Sequence, residues 1–181
     1  MVKYEIKKDC TILTFKNKKG LILSCTIDSE DLDKITSYKY SWHLRWKNNT
    51  KSYYVVASEY KGVSENGNGK YKNVYMQRFL LHAPDDMVVD HINGDTLDNR
   101  KSNLRLVSNA NNLKNRGGKN SNNTSGYRNV TWDKRNIKWV VQLQVDGKNK
   151  QLGRFDDVDE AGEFAAKMRE KYYGDYCTRS K

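Results

Sequence analysis

Apolar and polar positions alternate over most of the first third of the chain. Residues 11–15 (TILTF) and 21–27 (LILSCTI) are β-rich, and Asn17-Lys18-Lys19-Gly20 between them is a turn signal, so a hairpin is expected. Residues 29–35 start a short helix with Ser29 as its N-cap. Tyr38, Tyr40, Trp42 and Trp46 recur at even spacing, then Tyr53-Tyr54-Val55-Val56-Ala57, and both stretches read as strands. Residues 61–70 (KGVSENGNGK) read as a glycine-rich mobile loop. The apolar run 74–81 leads into a turn at Ala83-Pro84-Asp85-Asp86.

A different texture begins at residue 87. Residues 87–91 (MVVDH) form a strand that ends on an Asp-His pair. A polar loop runs from 92 to 102, a second short strand covers 104–107, and Ser108 caps a helix over 109–115. Residues 117–123 (GGKNSNN) have linker composition. Beyond them, 127–132, 137–145 and 148–154 read as three strands, with Asp146-Gly147 as a hairpin signal. Residues 157–173 form a helix that opens on an Asp-x-x-Glu capping box, with Ala161, Phe164, Ala165, Met168 and Tyr172 on one face. In the middle strand, Ile137, Trp139, Val141, Leu143 and Val145 face the helix, while Lys138, Val140, Gln142 and Gln144 face away.

The fold class is therefore α+β. A β-rich N-terminal lobe carrying a β-loop-β-α unit spans 1–116, with that unit at about 87–115. After the linker, a three-stranded antiparallel sheet packed on one helix spans 124–177. Hydrophobic residues make up only 36% of 181, so each lobe has a small core.

Charge narrows the class of partner. The formal net charge is +11. Residues 113–154 hold ten Lys or Arg against two Asp, a net +8, so the excess gathers on the linker and second sheet. Such a patch favours a polyanion. No apolar run reaches the length of a membrane span, and residues 1–10 lack the apolar stretch of a secretion signal. Cys10, Cys25 and Cys177 are odd in number and widely spaced, which suits a reducing cytoplasm and makes no zinc site. By charge alone the partner is a nucleic acid or a membrane surface.

Asp90, His91, Asn103 and Asn112 are the candidate chemistry. A carboxylate and a side-chain amide are hard oxygen donors for Mg²⁺ or Mn²⁺, and an adjacent imidazole can deprotonate water near neutral pH. Adjacent residues on a strand point to opposite faces, so this pair needs the freedom of a strand end to cooperate. Taken singly, an Asp-His pair is surface polarity and an Asn-Gly pair is a turn, and His43 is a packed or surface histidine.

The segment DHINGDTLDNRKSNLR (90–105) resembles the HNH, or ββα-metal, endonucleases, above all the homing endonucleases of phages and introns. The resemblance runs over about 74–115. It implies that Asp90 is a metal ligand, His91 the general base and Asn112 the second protein ligand, with Asn111 as the neighbouring candidate. It implies that Asn103 holds the loop and orients the histidine. It also implies hydrolysis of DNA to a 5′-phosphate and a 3′-hydroxyl with Mg²⁺ as cofactor. The family has a His-Arg pair before this core, where this chain has Gln77-Arg78.

Ser125-Gly126-Tyr127-Arg128-Asn129-Val130, Lys138-Trp139, Leu152-Gly153-Arg154-Phe155-Asp156 and Glu160-Ala161 resemble an AP2-type DNA-binding domain over 124–174. That resemblance implies a sheet laid in the major groove, with Arg128, Lys138, Gln142, Gln144, Asn149 and Gln151 as contacts and Arg135 beside them. The combined expectation is a metal-dependent homing-type DNA endonuclease working in a phage-infected or bacterial cell. The alternatives are a DNA-binding regulator that has lost activity and a non-specific phage nuclease.

Overall fold

Three short strands, β1 (Lys3–Ile6), β2 (Thr11–Lys16) and β3 (Ile22–Ile27), form an antiparallel sheet in the order β1-β2-β3. The computed structural model describes residues 2–17, 19–114 and 122–177. Thr11, Leu13 and Phe15 alternate inward along β2, as period-two patterning requires. A 3₁₀ turn at Ser29–Asp31 leads into α1 (Leu32–Thr36), and Asp31 rather than Ser29 stands at its N-cap. Thr11 donates a hydrogen bond to the Ser29 hydroxyl.

The second sheet is β4 (Trp42–Lys47), β5 (Ser52–Val63) and β6 (Gly69–Tyr75), also antiparallel, in that order. Its length departs from the sequence reading. Residues 61–70 are not one loop: β5 continues to Val63, β6 begins at Gly69, and Tyr60 stands opposite Tyr71. Only 64–68 turn. Ser64 and Asn68 exchange backbone and side-chain hydrogen bonds there, and Gly67 supplies a positive φ. The glycines marked a tight turn, and cross-strand aromatic pairing extended the strands around it.

The inner faces of these two sheets share a core of Leu13, Phe15, Cys25, Ile27, Ile35, Trp42, Val55, Ala57, Met76 and Leu80. Each large side chain buried there is worth roughly 1.5–3 kcal/mol relative to exposure. Trp42 stacks on Tyr38 with centroids 5.1 Å apart and donates its indole N–H to the Ile35 carbonyl at 3.0 Å. Met76 and Leu80 come from α2 (Met76–Leu80). Arg78 on that helix donates to the carbonyls of Ala83, Pro84 and Met87, which fixes the turn into the next strand. That strand, β7 (Val88–His91), pairs antiparallel with β8 (Leu104–Val107), and α3 (Asn109–Lys114) follows.

The chain divides into two compact units, Met1–Asn109 and Ala110–Lys181. The linker read at 117–123 lies, except for Asn122 and Asn123, outside the described residues. In the second unit β9 (Val130–Asp133), β10 (Lys138–Val145) and β11 (Lys148–Phe155) form an antiparallel sheet with β10 in the middle. It packs on α4 (Val158–Tyr173) around Val130, Val141, Leu143, Val145, Ala161, Ala165 and Tyr173. Asp157 caps α4, accepting from the amides of Asp159 and Glu160 at 2.8 and 2.9 Å. Asp146 and Gly147 both take positive φ, the conformation of a type I′ hairpin turn.

Ile137 does not join the helix-facing row. It is 70% exposed and takes φ of 53°, because it belongs to the turn before β10 rather than to the strand. On the opposite face Val140 is buried.

Tyr127 lies flat on α4 at Gly162, and its hydroxyl donates to Asp159 at 2.6 Å. A Cβ at 162 would stand 2.4 Å from the ring. The contact is with the root of the ring, so the side chain cannot swing clear. Gly162→Ala is therefore expected to destabilise the protein by about 1–3 kcal/mol, as overpacking does. A thermal melt measures it, and an unchanged midpoint would contradict this packing.

Candidate active site

A twelve-residue loop, 92–103, joins β7 to β8, and almost every polar side chain in it is bonded. Asn93 accepts from the Asp95 amide, and Asp95 accepts from the Leu97 amide. These are Asx turns, in which a side chain stands in for a backbone acceptor. Gly94 adds the positive φ that the turn needs. Asp98 is buried and takes a two-pronged hydrogen bond from Arg100, with both contacts at 2.7 Å. The Arg100 guanidinium holds the Asp98 carboxyl below the usual carboxylate range.

The loop is also pinned from outside. Residues 97–99 dock on the end of β3: Thr26 donates to the Leu97 carbonyl, and the Asn99 amide donates to the Thr26 carbonyl. Thr96 donates to the Tyr53 carbonyl at 2.6 Å. The Lys101 amide donates to Asp28 at 2.7 Å, and its ammonium pairs with Asp31 and Glu30. The first two sheets thus hold both walls of a loop that would be too long to order itself.

Asn103 accepts from the Asn93 amide at 2.9 Å and donates to the Asp98 carbonyl at 2.8 Å, and its own carbonyl accepts from the Ile92 amide. It therefore ties the start of the loop to its end. A different side chain, Asn99, meets the His91 ring, and the sequence reading did not single it out. Asn99 is fully buried, with Oδ1 3.2 Å from His91 Nε2 and Nδ2 donating to Cys25 Sγ at 3.1 Å. Burial pushes the Cys25 thiol up to about 12, so it stays neutral. With Oδ1 toward the imidazole, the contact suits the tautomer that carries its proton on Nε2. Asn99 looks like any other loop asparagine in the sequence, since only its docking on β3 buries it.

Asp90 and His91 are both buried, each 3% exposed. Asp90 stands opposite Arg105 in the β7–β8 register, and Arg105 donates to Asp90 Oδ2 from Nε at 3.0 Å and from Nη2 at 2.8 Å. A guanidinium offsets the cost of a carboxylate in this position. This partner was legible in principle, because pairing β7 with β8 places 90 against 105. The Tyr54 ring lies edge-on to His91, with centroids 6.3 Å apart. Gln77, where the resembling family has a histidine, is buried, and its Oε1 has no hydrogen-bond partner among the described residues.

Among the described residues no group of three or more His, Cys, Asp or Glu gathers as metal ligands. The donor set around Asp90 is one buried carboxylate, whose Oδ2 accepts from the Arg105 guanidinium, beside the His91 imidazole. That set fits Mg²⁺, which keeps several waters and is bound through one or two carboxylates plus substrate phosphate. Asn112 lies on α3 within the second unit.

In the second unit, the outer face of the sheet brings together most of the residues read as DNA contacts. Gln142 stands opposite Gln151 and Gln144 opposite Asn149, with Lys138 two positions before Val140 on the same side. Lys138 is ion-paired with Asp156. Arg135 is in the turn between β9 and β10, where its amide donates to Asp133. Arg128 is elsewhere: its guanidinium donates to the Leu113 and Lys114 carbonyls at the end of α3, and its carbonyl accepts from Arg169.

A depressed Asp98 pKa contributes stability that is present above the unfolded value near 3.9 and lost as pH falls through the folded value. Arg100→Gln removes the cause. Urea melts of wild type and Arg100→Gln are therefore expected to differ by a constant amount above about pH 5. The gap should shrink toward zero as the pH is taken below 4. A gap that persists at the acid end would contradict the assignment.

Comparison with known proteins gives one family. The model of the HNH endonucleases (HNH endonuclease) matches residues 82–114, the stretch from the turn after α2 through β7, the pinned loop, β8 and α3. No curated protein and no solved structure matches the chain. Among the described residues no helix is long and apolar enough to cross a membrane. The matched stretch contains Asp90, His91, Asn99, Asn103, Arg105 and Asn112. The segment is thus similar to that of an HNH endonuclease, and nuclease action on DNA is the activity class that its chemistry supports.

Proposed function

We propose that the chain is a metal-dependent endonuclease that hydrolyses phosphodiester bonds of double-stranded DNA, with His91 as general base. The observation that carries this reading is the Asn99 contact. His91 Nε2 lies 3.2 Å from the Asn99 amide oxygen, and with the ring proton held there Nδ1 is the basic nitrogen, at a strand end beside a buried carboxylate. Such a base takes a proton from water within hydrogen-bond reach. The resulting hydroxide attacks phosphorus, and the P–O3′ bond breaks to give a 5′-phosphate and a 3′-hydroxyl. A divalent ion, Mg²⁺ or Mn²⁺, held by Asp90 and, on the sequence resemblance, by Asn112, would supply Lewis-acid stabilisation of charge on the phosphate and leaving oxygen. Asp90 brings the carboxylate donor, and Arg105 fixes it in one orientation. Asn103 keeps the loop closed over the strand end, which holds the Asp-His pair in register.

The second unit is proposed to choose the target. Gln142, Gln144, Asn149 and Gln151 share one face of a sheet of the kind that enters the major groove, where amide side chains pair with adenine edges. Lys138 and Arg135 flank that face as phosphate contacts. Arg128 has a structural task at the end of α3, so it serves recognition through the backbone it orders. Site selectivity of the homing type, in a phage or bacterial cell, is the setting proposed for this pair of units.

Purified protein is expected to cut plasmid DNA with Mg²⁺ or Mn²⁺ and not with a chelator. His91→Ala is expected to lose about 10²–10⁴ of the rate, the usual contribution of a general base. Asn99→Ala is expected to lower kcat and to change the pH profile, because it frees the tautomer of the base. A wild type that binds DNA and cuts it no faster than His91→Ala would end the enzyme reading in favour of a DNA-binding regulator.

Binding should also weaken steeply with salt, since each phosphate contact releases counterions. Removing Lys138 and Arg135 together (Lys138→Gln, Arg135→Gln) is expected to lower the slope of log K against log salt by about two. A slope equal to that of wild type would count against the second sheet as a DNA surface.

A further inference from the structure

The second sheet of the first unit has an outer face that the proposed reaction leaves without a role. Residues 42–75 carry six Lys or Arg against Glu59 and Glu65, a net +4. These charges are not spread evenly over the two faces. Lys72 stands opposite Glu59, and Lys61 pairs with the same carboxylate at 2.7 Å, so the acid on that side is matched. Arg45 stands opposite Tyr54, and Lys47 lies two positions further along the same face. Alternation places Tyr75, Tyr60 and Tyr71 on this face as well.

The two cations are held in place rather than left to wave in solvent. Arg45 donates to Asn73 Oδ1 at 2.9 Å, and Asn73 also accepts from Ser58. The Lys47 ammonium sits over two rings, 5.2 Å from the centroid of Tyr75 and 5.7 Å from that of Tyr54. Tyr54 and Tyr75 meet edge to face at 5.8 Å, and Tyr54 is the ring that lies edge-on to His91. A positive charge is thus fixed by cation–π contact on a ring that touches the candidate base. At the far end, Tyr60 and Tyr71 form an exposed edge-to-face pair on the long hairpin, 47% and 61% exposed.

We infer that this outer face of β4–β5–β6 is a DNA-binding surface that leads the scissile strand to His91, with Arg45 and Lys47 on phosphates and the tyrosines against sugars and bases. The inference rests on the nuclease reading for its direction, and on charge complementarity and continuity with His91 for its occupant. DNA carries one phosphate per 3.4 Å of rise on each strand. A strand whose phosphodiester reaches His91 must therefore lay its neighbouring phosphates on whatever adjoins that residue. The face adjoining it through Tyr54 is basic and aromatic. Val56, between Tyr54 and Tyr60 on this face, is fully buried, so the exposed contacts are Arg45 and Lys47 at one end and Tyr60 and Tyr71 at the other, with about 20 Å of strand from Tyr54 to Tyr60. Tyrosine rings with held cations suit a sugar-phosphate chain and partly exposed bases, as on other nucleic-acid platforms.

The test is equilibrium binding of full-length His91→Ala protein to a labelled DNA duplex over a salt series, without divalent metal, so that no cleavage enters. In that background, Arg45→Gln with Lys47→Gln is expected to weaken binding about tenfold at low salt and to lower the salt slope by about two. Lys61→Gln with Lys72→Gln removes the same formal charge from the other face and is expected to change the slope by less than half a unit. Tyr60→Ser with Tyr71→Ser is expected to lower affinity with the slope unchanged, since the tyrosines carry no charge. Circular dichroism melts check that each variant is folded. A folded Arg45/Lys47 variant that binds as its parent does overturns the inference. So does an equal loss in the Lys61/Lys72 control, or a parent that binds no DNA. Affinity unchanged by the tyrosine pair overturns the extension to the hairpin tip. The nuclease reading fails separately: a wild type that never cuts, with a slope that still falls for Arg45/Lys47, leaves the surface standing and removes the reaction.

Discussion

Everything proposed at His91 depends on one buried amide. The Asn99 side chain bridges the imidazole and the Cys25 sulfur, so a residue of the loop is clamped between the end of β7 and the core strand β3. Both ends of that bridge are out of water. An amide in this position that lost either partner would leave a buried polar group unsatisfied, at a cost of about 1–3 kcal/mol. The bridge therefore specifies one conformation for the loop and one orientation for the ring.

The β7–β8 pair is only four residues long on each side and could not order itself. The surrounding structure orders it instead. Arg78 fixes the turn before it, the end of β3 receives the loop after it, and Asp90 and Arg105 lock its register from within. A one-residue slip would take the carboxylate away from the guanidinium and bury it alone, which a fold of modest stability could not sustain. Rigid sheets thus position a polar loop, and the loop positions His91. This arrangement keeps a site polar enough for hydrolysis without asking that site to hold itself together.

The two units share a logic of faces. Each presents a sheet whose inner side is packed and whose outer side is polar: Gln142, Gln144, Asn149 and Gln151 in the second, Arg45, Lys47 and the tyrosines in the first. The amide-rich face has the donors and acceptors to distinguish bases, whereas the cation-and-tyrosine face has the chemistry to hold a backbone wherever it lies. Reading the target and delivering the strand are in this view separate tasks on separate sheets.

The sequence by itself determined the elements and the inventory of chemistry. Period-two alternation gave β2, β7, β8 and β10 within a residue or two, and the start of β5 but not its end, and the Asp157 cap and the 3.6-residue spacing gave α4, because these are local properties of a chain segment. The Asp-His pair, the loop and the basic second sheet were legible for the same reason. The tertiary structure decided what the polar residues do. Asn99 and Asn103 are alike in sequence, yet one faces the histidine and the other staples the loop, because only the docking on β3 distinguishes them. Ile137 obeys the alternation and is still turned outward by the turn it belongs to. Arg128 matches a contact motif and is occupied at a helix end. Lys47 carried no motif, and it gained a fixed place only when two strands brought Tyr54 and Tyr75 under it. Hydrophobic periodicity is written along the chain, but a polar side chain takes its role from neighbours that are distant in sequence, and those exist only once the sheets have formed.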